Sequence, residues 1–528
     1  MSEKTKSYWR SVAEYERDPN LPSANSEFGI TPYTEGHEKD GADENGRRNF
    51  LKLMGASLAM LGTSACTRRP VEKIYPYLKK PEDMTIGVAN WYASTCSECE
   101  SSCGILVKTR EGRPIKFEGN PEHPLSKGGL CGRGQASVLN LYDPDRLHSP
   151  LAPARREVAT GISWGDADAK VVAKLKELKA SGGRVRVLTG EVSSPSTNRV
   201  VQEFLNGFSG GKRVTFEPLG AEEIATASEL SYGVRAVPHY RFDKANVIVS
   251  FGADFLGSWL SPVEFSKAFS KRRKLGTNAN GNHEISKFVA FESLFTLTGS
   301  NADERLTVKA GDEFKVAAAL AHELIVAQGR TRFAGDSDVR GALAPYSVAQ
   351  VGATLGFEAE VLKKTASELW ENRGKSLVVG GGNSVKGELG VALEVVVNLL
   401  NSALENEGST VDGTTNAVSE RSSYKELAQL VADMKAGQVD ALVIYKLNPL
   451  YALPKSLGFA EAMAKVGFIV DFSMFFDETA RKSDVVCAVN HGTESWGDAS
   501  PNAGIYSVQQ PTISPLFDTK SFEDVLMG

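Results

Sequence analysis

The sequence is poor in cysteine and has no long apolar run. Six cysteines in 528 residues are too few for a disulfide scaffold. No segment reaches the roughly 20 apolar residues that a membrane-spanning helix needs. Lysines and arginines number 60 against 65 aspartates and glutamates, and no basic stripe is present, so we expect no nucleic-acid partner. The length allows two to four globular domains.

Residues 1–66 have the pattern of a flexible extension followed by an export signal. The first 45 residues are polar and turn-rich, and Arg47-Arg48 then precedes a short apolar run, as in a twin-arginine (Tat) signal. An amphipathic helix with an incidental arginine pair is the alternative. Residues 63–66 resemble a lipobox that ends at Cys66. We therefore expect Tat export to the periplasmic side, with membrane association through partner subunits or through a lipid on Cys66.

Four of the cysteines have the spacing of an iron–sulfur motif. Cys96, Cys99, Cys103 and Cys131 read C-x2-C-x3-C-x27-C, so that one loop can supply three thiolates and a distant cysteine the fourth. A structural zinc site more commonly uses two C-x2-C pairs. Two disulfides would leave the Tat signal unexplained, because a disulfide protein can be exported unfolded. The spacing therefore predicts one 4Fe–4S cluster, while Cys487 is expected as a small buried side chain in a strand.

The chain downstream alternates strand and helix patterns. Residues 105–120 predict a hairpin around a Glu111-Gly112 turn. Ser163 and Asp166 form a capping pair at the start of a helix, and another helix begins near Ser521. Short β-branched runs that end in Gly or Asn predict parallel sheets, which present loops to a ligand at their carboxyl ends; the runs are 185–190, 246–254, 376–383 and 441–449.

From Cys96 to Leu147 the sequence resembles the N-terminal cluster domain of the bis-molybdopterin guanine dinucleotide oxidoreductases, and the resemblance continues to Gln509-Gln510-Pro511. It implies an α/β fold in which a small β-rich 4Fe–4S domain precedes Rossmann-like parallel-sheet domains. It also implies that Arg133, two residues past the fourth cysteine, lies between cluster and pterin and assists electron transfer. The domains implied are 88–147 for the cluster, 148–230 with 371–528 for one α/β domain, and 231–370 for an inserted one.

The sequence departs from that family in two places. On residues 231–240, where members supply a molybdenum ligand, there is no cysteine, and we interpret Ser231 as a solvated loop serine. The bulky Tyr232, Arg235, His239 and Tyr240 are expected to fill the cavity instead. The family's C-terminal barrel is not seen before Gly528, so either the frame is split or truncated or no complete molybdenum site exists. The cofactor expected is a 4Fe–4S cluster; the resemblance allows a molybdenum bis(molybdopterin guanine dinucleotide) centre, which we do not expect.

Residues 238–244 and 252–262 are similar to the Tat-variant-translocated large iron–sulfur subunits of alternative complex III, a quinol-oxidising respiratory assembly. That resemblance implies an electron-transfer subunit of a membrane-attached complex. Its partners would be a ferredoxin-like iron–sulfur protein or domain, an integral-membrane quinol-binding subunit and cytochrome c subunits. A catalytic molybdopterin subunit of the polysulfide or thiosulfate reductase kind is one alternative, and a cofactor-free structural subunit is another.

Overall fold

A computed structural model describes residues 84–152, 160–274, 285–415 and 421–528. The predicted signal, with Arg47, Arg48 and Cys66, lies outside the described residues. Within those four ranges no helix combines the length and apolar character needed to cross a membrane.

The described ranges form eighteen strands and fourteen α-helices. The strands are β1 Asn90–Thr95, β2 Gly104–Arg110, β3 Arg113–Gly119, β4 Leu151–Ala152, β5 Thr160–Gly161, β6 Val185–Thr189, β7 Lys212–Thr215, β8 His239–Tyr240, β9 Val247–Phe251, β10 Lys287–Glu292, β11 Glu304–Thr307, β12 Ser376–Gly380, β13 Val411–Asp412, β14 Ala441–Tyr445, β15 Phe468–Ser473, β16 Val485–Ala488, β17 Gly497–Ala499 and β18 Ser507–Gln509. The helices are α1 Gly132–Leu141, α2 Trp164–Ser181, α3 Pro195–Asn206, α4 Glu222–Tyr232, α5 Pro262–Arg273, α6 Glu313–His322, α7 Ser337–Leu343, α8 Val348–Leu355, α9 Ala359–Glu371, α10 Gly387–Ala403, α11 Tyr424–Lys435, α12 Pro449–Ala452, α13 Phe459–Met463 and α14 Phe522–Met527.

A three-stranded antiparallel sheet, β1-β2-β3, and helix α1 form the small part of the chain that carries the four predicted ligand cysteines. The predicted hairpin is β2 and β3, and its two turn residues, Glu111 and Gly112, have φ of 51° and 79°. Turns with positive φ at both central residues match the twist of paired strands. Val107 pairs with Phe117 across the hairpin, and both side chains are buried. The hairpin prediction is therefore confirmed.

The seven-stranded sheet has the order β5-β4-β16-β15-β14-β6-β7, and the five strands from β16 to the edge strand β7 are parallel. Strand β6 is buried at every position, because apolar side chains pack on both faces of the sheet. Cys487 lies in β16 with 1% of its surface exposed, which confirms the predicted buried strand position. Ser163 caps α2 by accepting a hydrogen bond from the Asp166 amide at 3.1 Å, also as predicted.

A four-stranded parallel sheet has the order β11-β10-β9-β12, and three of its strands, β9, β10 and β11, lie within the predicted insertion. Alternate residues of β9 face opposite cores: Phe251 packs with the α6 and α10 side chains, and Ile248 packs with Phe255 and Phe269. Strand β12 pairs with β9, so it shares the sheet of the inserted segment rather than that of 371–528, where we had assigned it. The domain boundaries themselves stay a prediction. The predicted α/β class, with parallel sheets after a small β-rich part, is confirmed.

One local prediction is wrong. Ser231, expected on a loop, lies in the last turn of α4, which ends at Tyr232, and its hydroxyl accepts a hydrogen bond from the Asn398 amide at 3.2 Å. The helix ends at Tyr232 because the next residue, Gly233, adopts φ of 74°, a conformation that a glycine reaches without a Cβ penalty.

Candidate metal centre and adjoining cleft

Three of the predicted cluster cysteines lie on the loop that joins β1 to β2. Cys96 directly follows β1 and Cys103 directly precedes β2, and the Cys96 amide donates to the Cys103 carbonyl at 2.8 Å. This bond closes the base of the loop. Within the loop the Ser102 amide donates to the Cys99 carbonyl at 3.3 Å, and Ser102 has φ of 42°. The chain therefore turns tightly enough for one short loop to present three thiols.

The fourth cysteine approaches that loop from helix α1. Cys131 is the N-cap residue of α1, and its sulfur accepts a hydrogen bond from the Gly134 amide at 3.4 Å. A Cβ on Gly134 would lie 2.5 Å from Leu130 Cδ1 and 3.6 Å from Cys96 Sγ. A side chain at this position would therefore displace Leu130. The first turn of α1 is thereby packed against the cysteine loop.

The donor set fits a 4Fe–4S cluster. None of the four thiols is joined in a disulfide; Cys96 and Cys103 are buried, and Cys99 and Cys131 are half-buried. Burial, with smaller contributions from the neighbouring Cys99 and Cys131, raises the pKa of Cys96 to about 12, against a backbone hydrogen bond from Glu98 that lowers it. Burial also raises the pKa of Cys103. Thiolates so placed need bound iron to compensate their charge.

The four cysteines are not arranged as a site for a single metal ion. Across the described ranges, no three His, Cys, Asp or Glu side chains converge on one position for such an ion. A 4Fe–4S cluster does not need its four thiolates to meet at one point, because each thiolate binds a different iron. The cysteine loop and the N-cap of α1 supply such separate donors.

Two cations flank the cysteine loop. The Arg133 guanidinium, in the first turn of α1, lies near Cys99, Cys131 and Glu98, whose charges raise its pKa against the effect of burial. Lys446 approaches from the seven-stranded sheet, and its ammonium donates to the Ser97 carbonyl at 3.3 Å. The sequence pointed to Arg133 and missed Lys446, although a basic residue directly after a buried strand was a usable signal.

A cavity of about 440 Å³ lies between the cysteine loop and the seven-stranded sheet. One wall includes Cys96 and Cys99. The opposite wall is formed by residues that directly follow four parallel strands: Gly190, Lys446, Met474 and Val489. We call this cavity the cleft. Ligands of open α/β sheets bind at this position, outside the carboxyl ends of the strands.

The charged side chains that line the cleft are mostly acidic. Lys446 is the one lysine or arginine among the described residues that line the cleft. Seven carboxylates line it: Glu98, Glu100, Glu191, Glu217, Asp477, Asp498 and Glu523. Two of them share the buried Arg421, which donates to both oxygens of Glu191 at 2.9 and 3.0 Å and also pairs with Glu100. Burial and the Glu100 charge raise the pKa of Glu191, against the lowering effect of Arg421.

The position of the cleft suits a dinucleotide, but its charges do not favour a diphosphate. Helix α3 begins at the wall of the cleft, where its N-terminus could hold an anion. Asp498 already fills that place: the Ser196 hydroxyl donates to one carboxylate oxygen at 2.6 Å, and the Ser196 amide approaches the other at 3.4 Å. A pterin dinucleotide would have to find its phosphate donors elsewhere in the cleft.

The bulky side chains expected to fill the cavity do not line the cleft. Tyr240 packs on Trp259 with ring centroids 5.1 Å apart, and the Tyr232 hydroxyl donates to Glu407 at 3.3 Å. Arg235 pairs with Glu222 and Glu229, and His239 Nε2 lies 2.6 Å from Glu264. The prediction was wrong because β8 pairs with β13, and Tyr240 packs in the core that covers one face of the four-stranded sheet.

A second cavity, of about 150 Å³, lies at the carboxyl ends of the four-stranded sheet. Gly252, Glu292 and Gly381 line it, and Glu394 of α10 is directly behind, since a Cβ on Gly381 would be 2.7 Å from Glu394 Oε1. Both Glu394 carboxylate oxygens lack a partner among the described residues. Burial, with the Glu223 charge, raises the pKa of Glu394 to about 8, although Lys386 lowers it.

Comparisons with known proteins agree on one group. Residues 89–143 match the family described as the molybdopterin oxidoreductase Fe4S4 domain. The menaquinone reductase, molybdopterin-binding-like subunit of Nitratidesulfovibrio vulgaris is 30% identical over 504 residues, 91% of this chain and 71% of that protein. The arsenate respiratory reductase molybdopterin-containing subunit ArrA of a Shewanella species is 24% identical over 300 residues, 55% of this chain and 34% of its own length.

The solved structure of acetylene hydratase from Pelobacter acetylenicus superposes with a TM-score of 0.66. The match covers 82% of this chain and 68% of the hydratase at 13% identity, and so it demonstrates a shared fold only.

Proposed function

The chain belongs to the molybdopterin oxidoreductase superfamily, and on that premise we propose that it is the iron–sulfur electron-transfer subunit of a membrane-attached, quinone-linked respiratory complex. Membership confirms the resemblance and the 4Fe–4S cofactor predicted from the sequence. Under the proposal Cys96, Cys99, Cys103 and Cys131 ligate the cluster. These four ligands, and Arg133 as a residue that assists electron transfer, stay predictions.

The observation that carries the proposal is the cysteine loop at the edge of the cleft, with Arg133 close to Cys99 and Cys131. A cluster held there, when bound, exchanges one electron at a time. The chain's own residues hold it through four thiolates, cover Cys96 and Cys103 from solvent and place two cations beside it. These are the parts of an electron-transfer site, whose potential depends on charge, hydrogen bonding and exposure.

The proposed membership of a quinone-linked complex is based on the similarity that covers 91% of this chain. The Nitratidesulfovibrio relative, named as a menaquinone reductase subunit, supports a quinone-linked complex. Partners would then be a ferredoxin-like iron–sulfur protein or domain, an integral-membrane subunit that binds the quinone or quinol, and cytochrome c subunits. Tat export to the periplasmic side, with attachment through partners or Cys66, is part of the same proposal.

A catalytic molybdopterin subunit, of the polysulfide or thiosulfate reductase kind, is the second candidate. The cleft of about 440 Å³ beside the cysteine loop favours it, because a pterin there would adjoin the cluster. The acidic lining and the Asp498 carboxylate at α3 favour the electron-transfer proposal.

Elemental analysis of the complex purified from its native membrane decides between these functions. Roughly four irons per chain, with a visible absorption that bleaches on reduction and without molybdenum or tungsten, is the result we expect. Stoichiometric molybdenum or tungsten, with release of a guanine-dinucleotide pterin on denaturation, would establish the catalytic subunit. A chain free of iron, molybdenum and tungsten would contradict both and indicate a structural role.

A further inference from the structure

Lys446 has an unusual backbone conformation where the seven-stranded sheet meets the cleft. It directly follows β14 with φ of 55°, a left-handed conformation that costs a non-glycine residue on the order of 1 kcal/mol or more. The surrounding structure holds it there: the Gly190 amide donates to the Tyr445 carbonyl at 3.0 Å, and a Cβ on Gly190 would lie 2.5 Å from the Lys446 carbonyl oxygen. Strain of this kind persists when the surrounding structure enforces it, and it clusters at functional sites.

The side chain that this conformation directs reaches the cysteine loop. The Lys446 ammonium donates to the carbonyl of Ser97, which lies between two predicted cluster ligands, and the contact joins residues 349 positions apart. Its surroundings are acidic, since Glu98 and Glu523 lie within electrostatic range and both line the cleft. Lys446 is therefore a cation held against the cysteine loop from the seven-stranded sheet, whereas Arg133 lies on α1.

We propose that Lys446 is a positioning residue that sets the reduction potential of the cluster, and this inference rests on the proposed function. Reduction adds one electron, and thus one negative charge, to the cluster. A fixed cation beside the loop stabilises the reduced form more than the oxidised form, and so it raises the potential. Its contact with the Ser97 carbonyl also fixes the loop between Cys96 and Cys99, so that the charge acts at a constant place.

Three variants of the full chain, purified without oxygen, separate charge from structure. Lys446→Met removes the charge and keeps the length of the side chain. Lys446→Gly removes the charge and relieves the positive φ, so it should not destabilise the backbone. Lys446→Arg keeps a charge at every working pH. Lys520→Met is the matched control, because Lys520 carries the same charge but pairs with Asp168 on helix α2.

The measurement is the midpoint potential of the cluster, followed by its electron paramagnetic resonance signal during titration with dithionite. For the two neutral variants we expect roughly a tenfold lower equilibrium constant for reduction, which is about 59 mV for one electron. The arginine variant and the Lys520 control should keep the wild-type potential, and all four should keep the wild-type iron content.

The outcomes are distinguishable. Neutral variants with full iron content and an unchanged potential would overturn the inference and leave the proposed function intact. Loss of iron from the neutral variants alone would overturn it too, since Lys446 would then serve cluster assembly. A wild-type chain without iron would overturn the proposed function, and this inference with it.

Discussion

Arg146 and Glu494 form a fully buried, bidentate ion pair across 348 residues of sequence. Arg146 Nη1 lies 3.1 Å from Glu494 Oε1 and Nη2 contacts Oε2, with neither side chain exposed. Glu494 also accepts hydrogen bonds from the amides of His491 and Leu516. The pair joins the segment after α1 to the last part of the chain, and thereby fixes one end of the cleft, where His491 is a lining residue.

Arg146→Met should strongly destabilise the chain. It leaves the Glu494 carboxylate buried without its cation, and breaking a buried pair in this way costs about 3–5 kcal/mol in the free energy of unfolding. Urea denaturation monitored by circular dichroism measures the loss. Lys174→Met is the control, because Lys174 pairs with Glu177 on an exposed helix face and its loss should cost well under about 1 kcal/mol. Equal losses in the two variants would contradict this account.

Cys99→Ser should lose or degrade the cluster, because serine oxygen replaces one of four thiolates. Iron content and visible absorption of the anaerobically purified chain are the measurements. Cys487→Ala is the matched control: that thiol is buried in β16 and away from the cysteine loop, so its removal should leave the iron content unchanged. Iron that survives in Cys99→Ser but falls in Cys487→Ala would reverse the ligand assignment.

Glu394→Gln should stabilise the chain increasingly as pH rises. The pKa of Glu394 is about 8 in the folded chain, against an ordinary value of 4.5, so its protonation favours folding at low pH and this contribution is lost as pH rises toward 8. Glutamine keeps the neutral form at every pH. We expect a Tm gain near zero at pH 5 that grows to its maximum at pH 8.5, corresponding to a few kcal/mol. Glu388→Gln, exposed on the same helix, should show no such trend.

The sequence was most informative where function depends on local spacing. The cysteine loop, the hairpin with its Glu111-Gly112 turn and the Ser163 cap each depend on residues close together in the chain, so pattern alone located them. Cys487 was placed correctly for a similar reason, because an apolar run predicts its burial.

Contacts between distant segments could not be predicted in this way. Strand β12 pairs with β9 across more than a hundred residues, which a reading of strand–helix alternation does not reveal. Asp498 reaches the α3 N-terminus from about 300 positions away, and Arg421 reaches Glu100 from 321. Residues such as Lys446 gain their role only when the sheet folds against the cysteine loop.

The predicted export through the Tat route can be tested at the arginine pair of the signal, Arg47-Arg48. Changing Arg47 and Arg48 to lysine should leave the precursor in the cytoplasm with its cluster assembled, because the Tat route depends on the arginine pair. The measurement is the share of precursor in fractionated cells. A second arginine pair, Arg68-Arg69, follows the apolar run, and changing it to lysine is a matched control that should not affect export. Undiminished export of the first variant would indicate the general secretory route.

Gly134→Ala should disturb the cluster without removing any ligand. The new Cβ would lie 2.5 Å from Leu130 Cδ1, closer than real contacts allow, and 3.6 Å from Cys96 Sγ. Either Leu130 or the first turn of α1 must shift, at a cost of about 1–3 kcal/mol. A shift of α1 would move Cys131, its N-cap residue, away from the other three thiols. We therefore expect a lower iron content and a lower Tm for the iron-loaded chain.

Gly132→Ala is the control for this change, since Gly132 is in the same turn and a Cβ there meets no atom within 4 Å. Alanine has the higher helix propensity, so that variant should match or exceed the wild type in Tm and keep its iron. The two glycines thus separate the effect of a methyl group in the first turn of α1 from the effect of contact with the cysteine loop. If Gly134→Ala retains all its iron and Gly132→Ala does not, the packing of α1 against the loop is not what holds Cys131 in place.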